Sequence, residues 1–454
     1  MKRIRVVTMG CSKNRVDSEH LMHVLQQRGY GLVTEESGFA GGGIDEVVIN
    51  TCGFIQDAKE ESIGAILEAV EAKKQGLVKK VSVFGCLSQR YPGELRAEIP
   101  EVDEWQGVLT FDTLGRVLTT PAHYAYLKIA EGCDRTCAYC AIPHIRGPHV
   151  SVPVEDLVEE ARQLAAKGVK ELIVIAQDTT YYGLDRYGKR MLGRLLGQLS
   201  KIDGIEWIRL HYSYPTGFPE DVLHIMADNP KICPYIDIPL QHSADRVLAM
   251  MRRGIDGRQT RELVAQMRRM VPGVVLRTTL IVGHPGEGEA EFEDLFDFVR
   301  ESRFERLGAF TYSEEEGTYG ALHYRDDIPA EVKQERYERL MELQGGISDA
   351  FNQSRIGTRE RVLVDSVSED GILVARSQTE SPEVDGEILI DPSSGRVDPT
   401  RVRTFSDPAG APGPERTCRS TRPSSIRPEE RIGRFFDVTI TGADEYDLFA
   451  ALND

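Results

Sequence analysis

The sequence predicts an α/β protein in three parts: a small N-terminal parallel-sheet domain, a central partial (βα)6 barrel and a small C-terminal β-barrel. Three observations carry the prediction. Strand-like apolar runs alternate with helical patterns through the first 350 residues, the rhythm of a parallel sheet covered by helices. The middle of the chain holds six such units, too few for the eight of a closed barrel. The last hundred residues hold short strands with no helices between them.

In the first part, strands are expected at Arg3–Met9, Glu46–Asn50 and Lys80–Phe84. Helices are expected at Asp17–Arg28, with Asp17 or Ser18 as its cap, and at Ala58–Ala72. The six central strands are Ala125–Ala130, Glu171–Ala176, Trp207–Tyr212, Tyr235–Leu240, Val274–Val282 and Arg306–Tyr312. Helices between them fall near Val154–Ala166, Arg190–Ser200, Pro219–Ala227, Gly257–Met270 and Glu289–Ser302. The last part reads as strands Arg361–Val364, Gly371–Arg376, Gly386–Ile390 and Phe435–Thr441. The expected domains are 1–115, 119–350 and 353–454.

A net charge of −17 argues against a protein that coats nucleic acid by bulk attraction; it suits solubility or a basic partner. No apolar run reaches about 18 residues, so no membrane span is expected. The N-terminus reads as a strand and not as a signal peptide, and a cytoplasmic location follows. Residues 392–431 contain seven prolines and eight arginines with little to bury, and a disordered insertion is expected there. Its net charge of +3 could touch ribosomal RNA.

Eight cysteines are too sparse for a disulfide scaffold in a chain this long, and clustered ones point to metal or redox chemistry. The sharpest motif is Cys133-Asp-Arg-Thr-Cys137-Ala-Tyr-Cys140, in a loop after the first barrel strand, at the end where barrel active sites lie. Three soft thiolates in one loop suit a 4Fe–4S cluster and leave one iron open to a substrate. A structural zinc loop completed by His144 is the competing reading. Cys11, Cys52 and Cys86 each closely follow one of the three N-terminal strands. Parallel strands end on one shared edge, so these three can hold a second cluster; three unrelated core cysteines are the alternative. Cys233 reads as structural and Cys418 as a bystander.

The Cys133–Cys140 loop, with an aromatic residue before its third cysteine, resembles the radical S-adenosylmethionine superfamily. Together with the N-terminal triad and the C-terminal barrel, it resembles that superfamily's methylthiotransferase family over all but residues 392–431. Gly10–Glu19, Ala176–Thr180, Tyr214–Gly217, Asp237–His242, Arg376–Gln378 and Pro382–Gly386 look like the branch acting on ribosomal protein S12; the tRNA-adenosine branch is the alternative. The resemblance implies two 4Fe–4S clusters, one on Cys133, Cys137 and Cys140 and one on Cys11, Cys52 and Cys86. It implies S-adenosyl-L-methionine both as methyl donor and as radical source, and insertion of a methylthio group at the β-carbon of an S12 aspartate. A flavodoxin or ferredoxin is the implied electron donor. Tyr139, Gln177 and Gly283 are the implied cofactor contacts, with Tyr139 packing on the cofactor and Gly283 admitting the adenosine. Asp178, Gln241 and His242 end strands at the same mouth, and His284 stands where an aromatic residue is expected. The C-terminal barrel resembles a TRAM domain, an oligonucleotide-binding-like module. Its acidic run, Glu380, Glu383, Asp385 and Glu387, is expected to face a basic partner or solvent.

Overall fold

The computed structural model describes residues 1–33, 43–111, 113–392 and 427–453. Five parallel strands, β1 (Arg3–Thr8), β2 (Gly31–Val33), β3 (Ile44–Thr51), β4 (Val78–Gly85) and β5 (Glu104–Trp105), form the first sheet in the order β2-β1-β3-β4-β5. Alternate residues of its central strands enter two cores. Val47, Ile49, Val81 and Val83 meet Ile66, Ala69 and Val70 of helix Gln56–Lys74. Val48 and Phe84 join Ile4 and Val6 against Met22 and Leu25 of helix Ser12–Gln27. Cover on both faces is why these strands read as unbroken apolar runs.

Helix Ser12–Gln27 begins five residues before its expected start, with Cys11 as N-cap. Its first turn is polar and therefore shows no apolar period. Asp17 and Ser18, expected as caps, are buried inside the helix. The Ser18 hydroxyl accepts from Thr8 Oγ1 (2.7 Å) and Asn50 Nδ2 (3.0 Å).

The second sheet holds β6 (Tyr124–Lys128), β9 (Glu171–Ile175), β10 (Trp207–Leu210), β11 (Ile232–Asp237), β12 (Val275–Val282) and β13 (Arg306–Thr311). All six are parallel, in the order β13-β12-β11-β10-β9-β6, an open barrel as the sequence predicts. A short antiparallel pair, β7 (Ala130–Glu131) and β8 (Val150–Ser151), brackets the cysteine loop. Apolar faces of the outer helices, such as Leu157, Ala161 and Leu164 of Val154–Ala166, close the largest core against the strands. Helix Ala330–Ser354 was not legible in the sequence. Its buried positions mix Leu340 and Ile347 with Lys333, Arg336, Gln344, Ser348 and Asn352, so polar residues interrupt its apolar stripe. The expected boundary at residue 350 falls inside this helix. No helix among the described residues is long and apolar enough to cross a membrane.

The third unit is a closed barrel of β14 (Arg359–Val367), β15 (Leu373–Arg376), β16 (Ile388–Ile390), β17 (Phe435–Ala443) and β18 (Leu448–Leu452), in the order β14-β15-β16-β18-β17. Residues 393–426 of the expected insertion, Cys418 among them, lie outside the described residues. Its last turn, Pro428–Arg431, is a 3-10 helix with Arg431 buried, so the insertion ends sooner than expected.

Within the acidic run Glu380 and Asp385 turn inward, which corrects their reading as a partner surface, whereas Glu383 stays exposed. Glu380 is buried and pairs with Arg355 and Arg306. Glu383 accepts from Tyr124 and Tyr126 hydroxyls (3.0 Å each) and pairs with Arg15. Asp385 accepts from the Tyr235 hydroxyl at 2.6 Å. Arg209 donates to Gln378 O at 2.7 Å. The loop thus docks the small barrel onto side chains of the open one.

Glu387 is the member left facing like charge. Burial, with Asp447 and Asp365 nearby, pushes its carboxyl up to about 7. The native state therefore holds a proton that the unfolded chain releases from its ordinary value of 4.5, and stability falls as pH rises through that window. Glu387→Gln is expected to change little near pH 4.5. Above about pH 8 it is expected to stabilise by roughly 1–2 kcal/mol, after allowing for solvent screening of this partly exposed group. Thermal melts of both proteins at the two pH values check this.

Candidate active site

The first triad grows from the ends of β1, β3 and β4. Cys11 caps helix Ser12–Gln27, Cys52 follows β3, and Cys86 opens helix Cys86–Arg90. Gly10 has φ +85°, and a Cβ there would stand 2.5 Å from Cys52 Cβ, so only glycine brings these strand ends so close. Asn14 ties the ends together: its Nδ2 donates to Met9 O (2.9 Å) and Thr51 O (3.1 Å). Burial pushes the Cys52 thiol up and the Cys86 thiol up to about 12, and nearby Cys11 adds to both shifts.

The second triad sits in the loop after β7. Ala138 N donates to Met251 O (3.0 Å) and Gly320 N to Ala138 O (2.6 Å), which pins the loop to two barrel segments. Cys133 Sγ accepts from Arg135 N at 3.4 Å. Cys137 Sγ lies 3.4 Å from both Arg253 Nη1 and the Tyr214 hydroxyl. Burial raises Cys133 to about 11 and Cys140 to about 12. Neutral buried thiols of this kind ionise only against a bound cation, so metal loading releases protons.

Among the described residues, no three His, Cys, Asp or Glu side chains converge closely enough to hold a single ion, and none forms the zinc loop with His144. Three free thiols at the ends of neighbouring strands and three in one loop are the soft donor sets that a multi-iron cluster takes.

A buried polar network that the sequence did not reveal ties Cys86 to the helix that follows the second triad. Arg146, at the end of helix Ile142–Arg146, donates to Cys86 Sγ (3.2 Å), Asp17 (3.0 Å), Glu131 (2.8 Å) and Asn14 Oδ1 (2.5 Å). Lys128 pairs with Asp17 and Glu131. Burial opposes the Glu131 charge, but Lys128 and Arg146 outweigh it and hold the carboxyl at about 2. Lone charged residues in sequence look like surface; here opposite charges on separate elements bury one another.

The other expected residues fall as follows. Gln177 donates to Glu131 Oε1 at 2.7 Å, which leaves its own Oε1 buried with no donor. Gln241 Oε1 is likewise buried and unmatched, on a residue with φ +75°. Two unsatisfied acceptors at the mouth fit a ligand rich in N–H and O–H groups. The Tyr139 ring packs against the cluster of Ala244, Val247 and Met251, and its hydroxyl accepts from Arg253 at 3.1 Å. At Gly283 (φ +75°), a Cβ would stand 2.3 Å from Lys333 Cγ, so the approach its missing side chain allows is to helix Ala330–Ser354. Asp178 caps the 3-10 turn Thr179–Tyr181 and pairs with Arg135 (2.7 Å). His242 is buried 3.3 Å from Glu287. His284 packs edge-on against Tyr312, filling the place of the expected aromatic. Cys233 lies within β11 against Trp207 and Tyr235.

Three family models match the chain: an uncharacterized protein family, UPF0004, over residues 3–107, the radical SAM superfamily over 127–299 and the TRAM domain over 356–407. The ribosomal protein uS12 methylthiotransferase RimO of Bacteroides thetaiotaomicron is 47% identical over 465 residues, spanning 99% of this chain and 98% of its own. The protein of that name from Porphyromonas gingivalis is 48% identical, spanning 100% and 99%. The one from Christiangramia forsetii is 53% identical, spanning 86% and 88%. Among solved structures, the radical S-adenosylmethionine methyltransferase TsrM from Kitasatospora setae shares the fold, with a TM-score of 0.52 at 14% identity over 71% of this chain and 77% of that one.

Proposed function

The chain belongs to the ribosomal protein uS12 methylthiotransferase family, and from that premise we propose that it inserts a methylthio group at the β-carbon of an aspartate of uS12. The observation that carries the reading is Arg146, on the helix that follows the Cys133–Cys140 loop, donating to Cys86 Sγ of the N-terminal triad. Chemistry that joins a sulfur to an unactivated carbon needs both sites close to one target side chain.

In this reading Cys133, Cys137 and Cys140 hold one 4Fe–4S cluster and Cys11, Cys52 and Cys86 the other. When bound, the clusters and S-adenosyl-L-methionine supply a 5′-deoxyadenosyl radical, a methyl group and a sulfur site. The protein's own residues bind and orient. Glu131, held ionised, takes the Gln177 N–H and so leaves the Gln177 oxygen to accept from a ligand. Gln241 offers a second acceptor. Tyr139 and Gly283 are the further residues that would line the cofactor site. Arg253 and Tyr214 fix Cys137 from the barrel side. The domains in this reading are 1–115, a core from 119 to the end of helix Ala330–Ser354, and the C-terminal barrel beyond it. A flavodoxin or ferredoxin supplies electrons.

Intact-mass analysis of uS12 from cells with and without the gene tests the target. The methylthio increment is expected to vanish in the deletion strain and return on complementation. An unchanged uS12 mass, with loss of a methylthio nucleoside from tRNA, would assign the alternative substrate.

A further inference from the structure

We propose that Arg146 is a positioning residue for the N-terminal cluster, setting its electronic state through the Nε–H hydrogen bond to Cys86 Sγ across the domain junction. The inference rests on the reading of Cys86 as a cluster ligand. Arg146 belongs to the helix that starts two residues after Cys140, yet its nearest sulfur is in the other triad, at 3.2 Å. Its guanidinium cannot swing away. Asp17, Glu131 and Asn14 hold its remaining nitrogens, and the side chain is 2% exposed. The fixed fork geometry is what arginine provides and lysine does not.

Two consequences follow from the contacts. A cationic N–H donor on a ligating sulfur favours the more negative, reduced form of a cluster, and so raises its potential. The same guanidinium grips Asn14, whose amide holds Met9 O and Thr51 O, beside Cys11 and Cys52. One side chain from the radical-loop segment thus braces all three strand ends of the other triad. The radical-loop cluster has its own arginine, Arg253 on Cys137 at 3.4 Å, and serves as an internal reference.

The test compares reconstituted wild type, Arg146→Lys, Arg146→Gln and a Cys11→Ala/Cys52→Ala/Cys86→Ala variant by redox titration followed with electron paramagnetic resonance. The triple variant identifies the N-terminal cluster's signal by its loss. In both Arg146 variants that signal is expected to shift to more negative potential with an altered line shape, further in Gln than in Lys. The radical-loop signal is expected to stay in place. If Arg146→Gln does not fold, the lysine variant decides alone. An unshifted N-terminal signal at full iron content, or equal shifts of both signals, overturns the inference. A triple variant that keeps both signals overturns instead the ligand assignment beneath it.

Discussion

Alanine at Cys133, Cys137 or Cys140 is expected to abolish 5′-deoxyadenosine formation down to the assay background and to remove about four irons per chain, the content of one cubane cluster. The three thiols sit in one loop held by main-chain bonds to Met251 and Gly320, so their positions are set by the barrel and do not adjust to a missing neighbour. Losing Cys137 also leaves Arg253 and the Tyr214 hydroxyl facing a void where each met sulfur. The N-terminal triad rests on a different sheet, so its cluster is expected to remain. Iron content and chromatography of the cleaved cofactor check both halves.

The converse replacement, Cys11→Ala/Cys52→Ala/Cys86→Ala, is expected to separate two activities. Cofactor cleavage should persist within about tenfold, because Cys133 and Cys137 keep their own contacts to Arg135, Arg253 and Tyr214, and Arg146 keeps Asp17 and Glu131 as partners. Methylthio product on uS12 should fall to background, since only one sulfur-ligated site remains. Parallel assays of 5′-deoxyadenosine and of uS12 mass on one preparation give the comparison. Loss of both activities together would place the N-terminal triad in the scaffold and not in sulfur transfer.

Much of this arrangement was legible in the sequence because it rests on patterns with a direct physical cause. Strands covered on both faces read as apolar runs, so β3, β4 and the six strands of the open barrel stood out. Cysteines following three such strands had to share an edge. What stayed hidden depends on pairing between distant polar residues. Helix Ala330–Ser354 buries Lys333, Arg336 and Asn352 beside Leu340 and Ile347, which breaks up its apolar period. The Glu380–Gly386 loop reads as a solvated acidic run, yet Arg355 and Tyr235 donate to its Glu380 and Asp385 carboxylates in the interior. Arg146 is six positions beyond Cys140 and carries no signal of the sulfur it meets, because Cys86 lies sixty residues away in the chain. Gln177 was legible as a mouth residue, but its orientation follows from Glu131, whose own charge is set by Lys128 and Arg146.

The central claim is that two independent three-cysteine sites operate in one chain. Iron and acid-labile sulfide per chain, measured in anaerobically reconstituted wild type and in the two triple-cysteine variants, test it most directly. About eight irons and eight sulfides are expected in the wild type and about four of each in either variant. A wild-type content of about four, or an N-terminal triple variant indistinguishable from wild type, would contradict it.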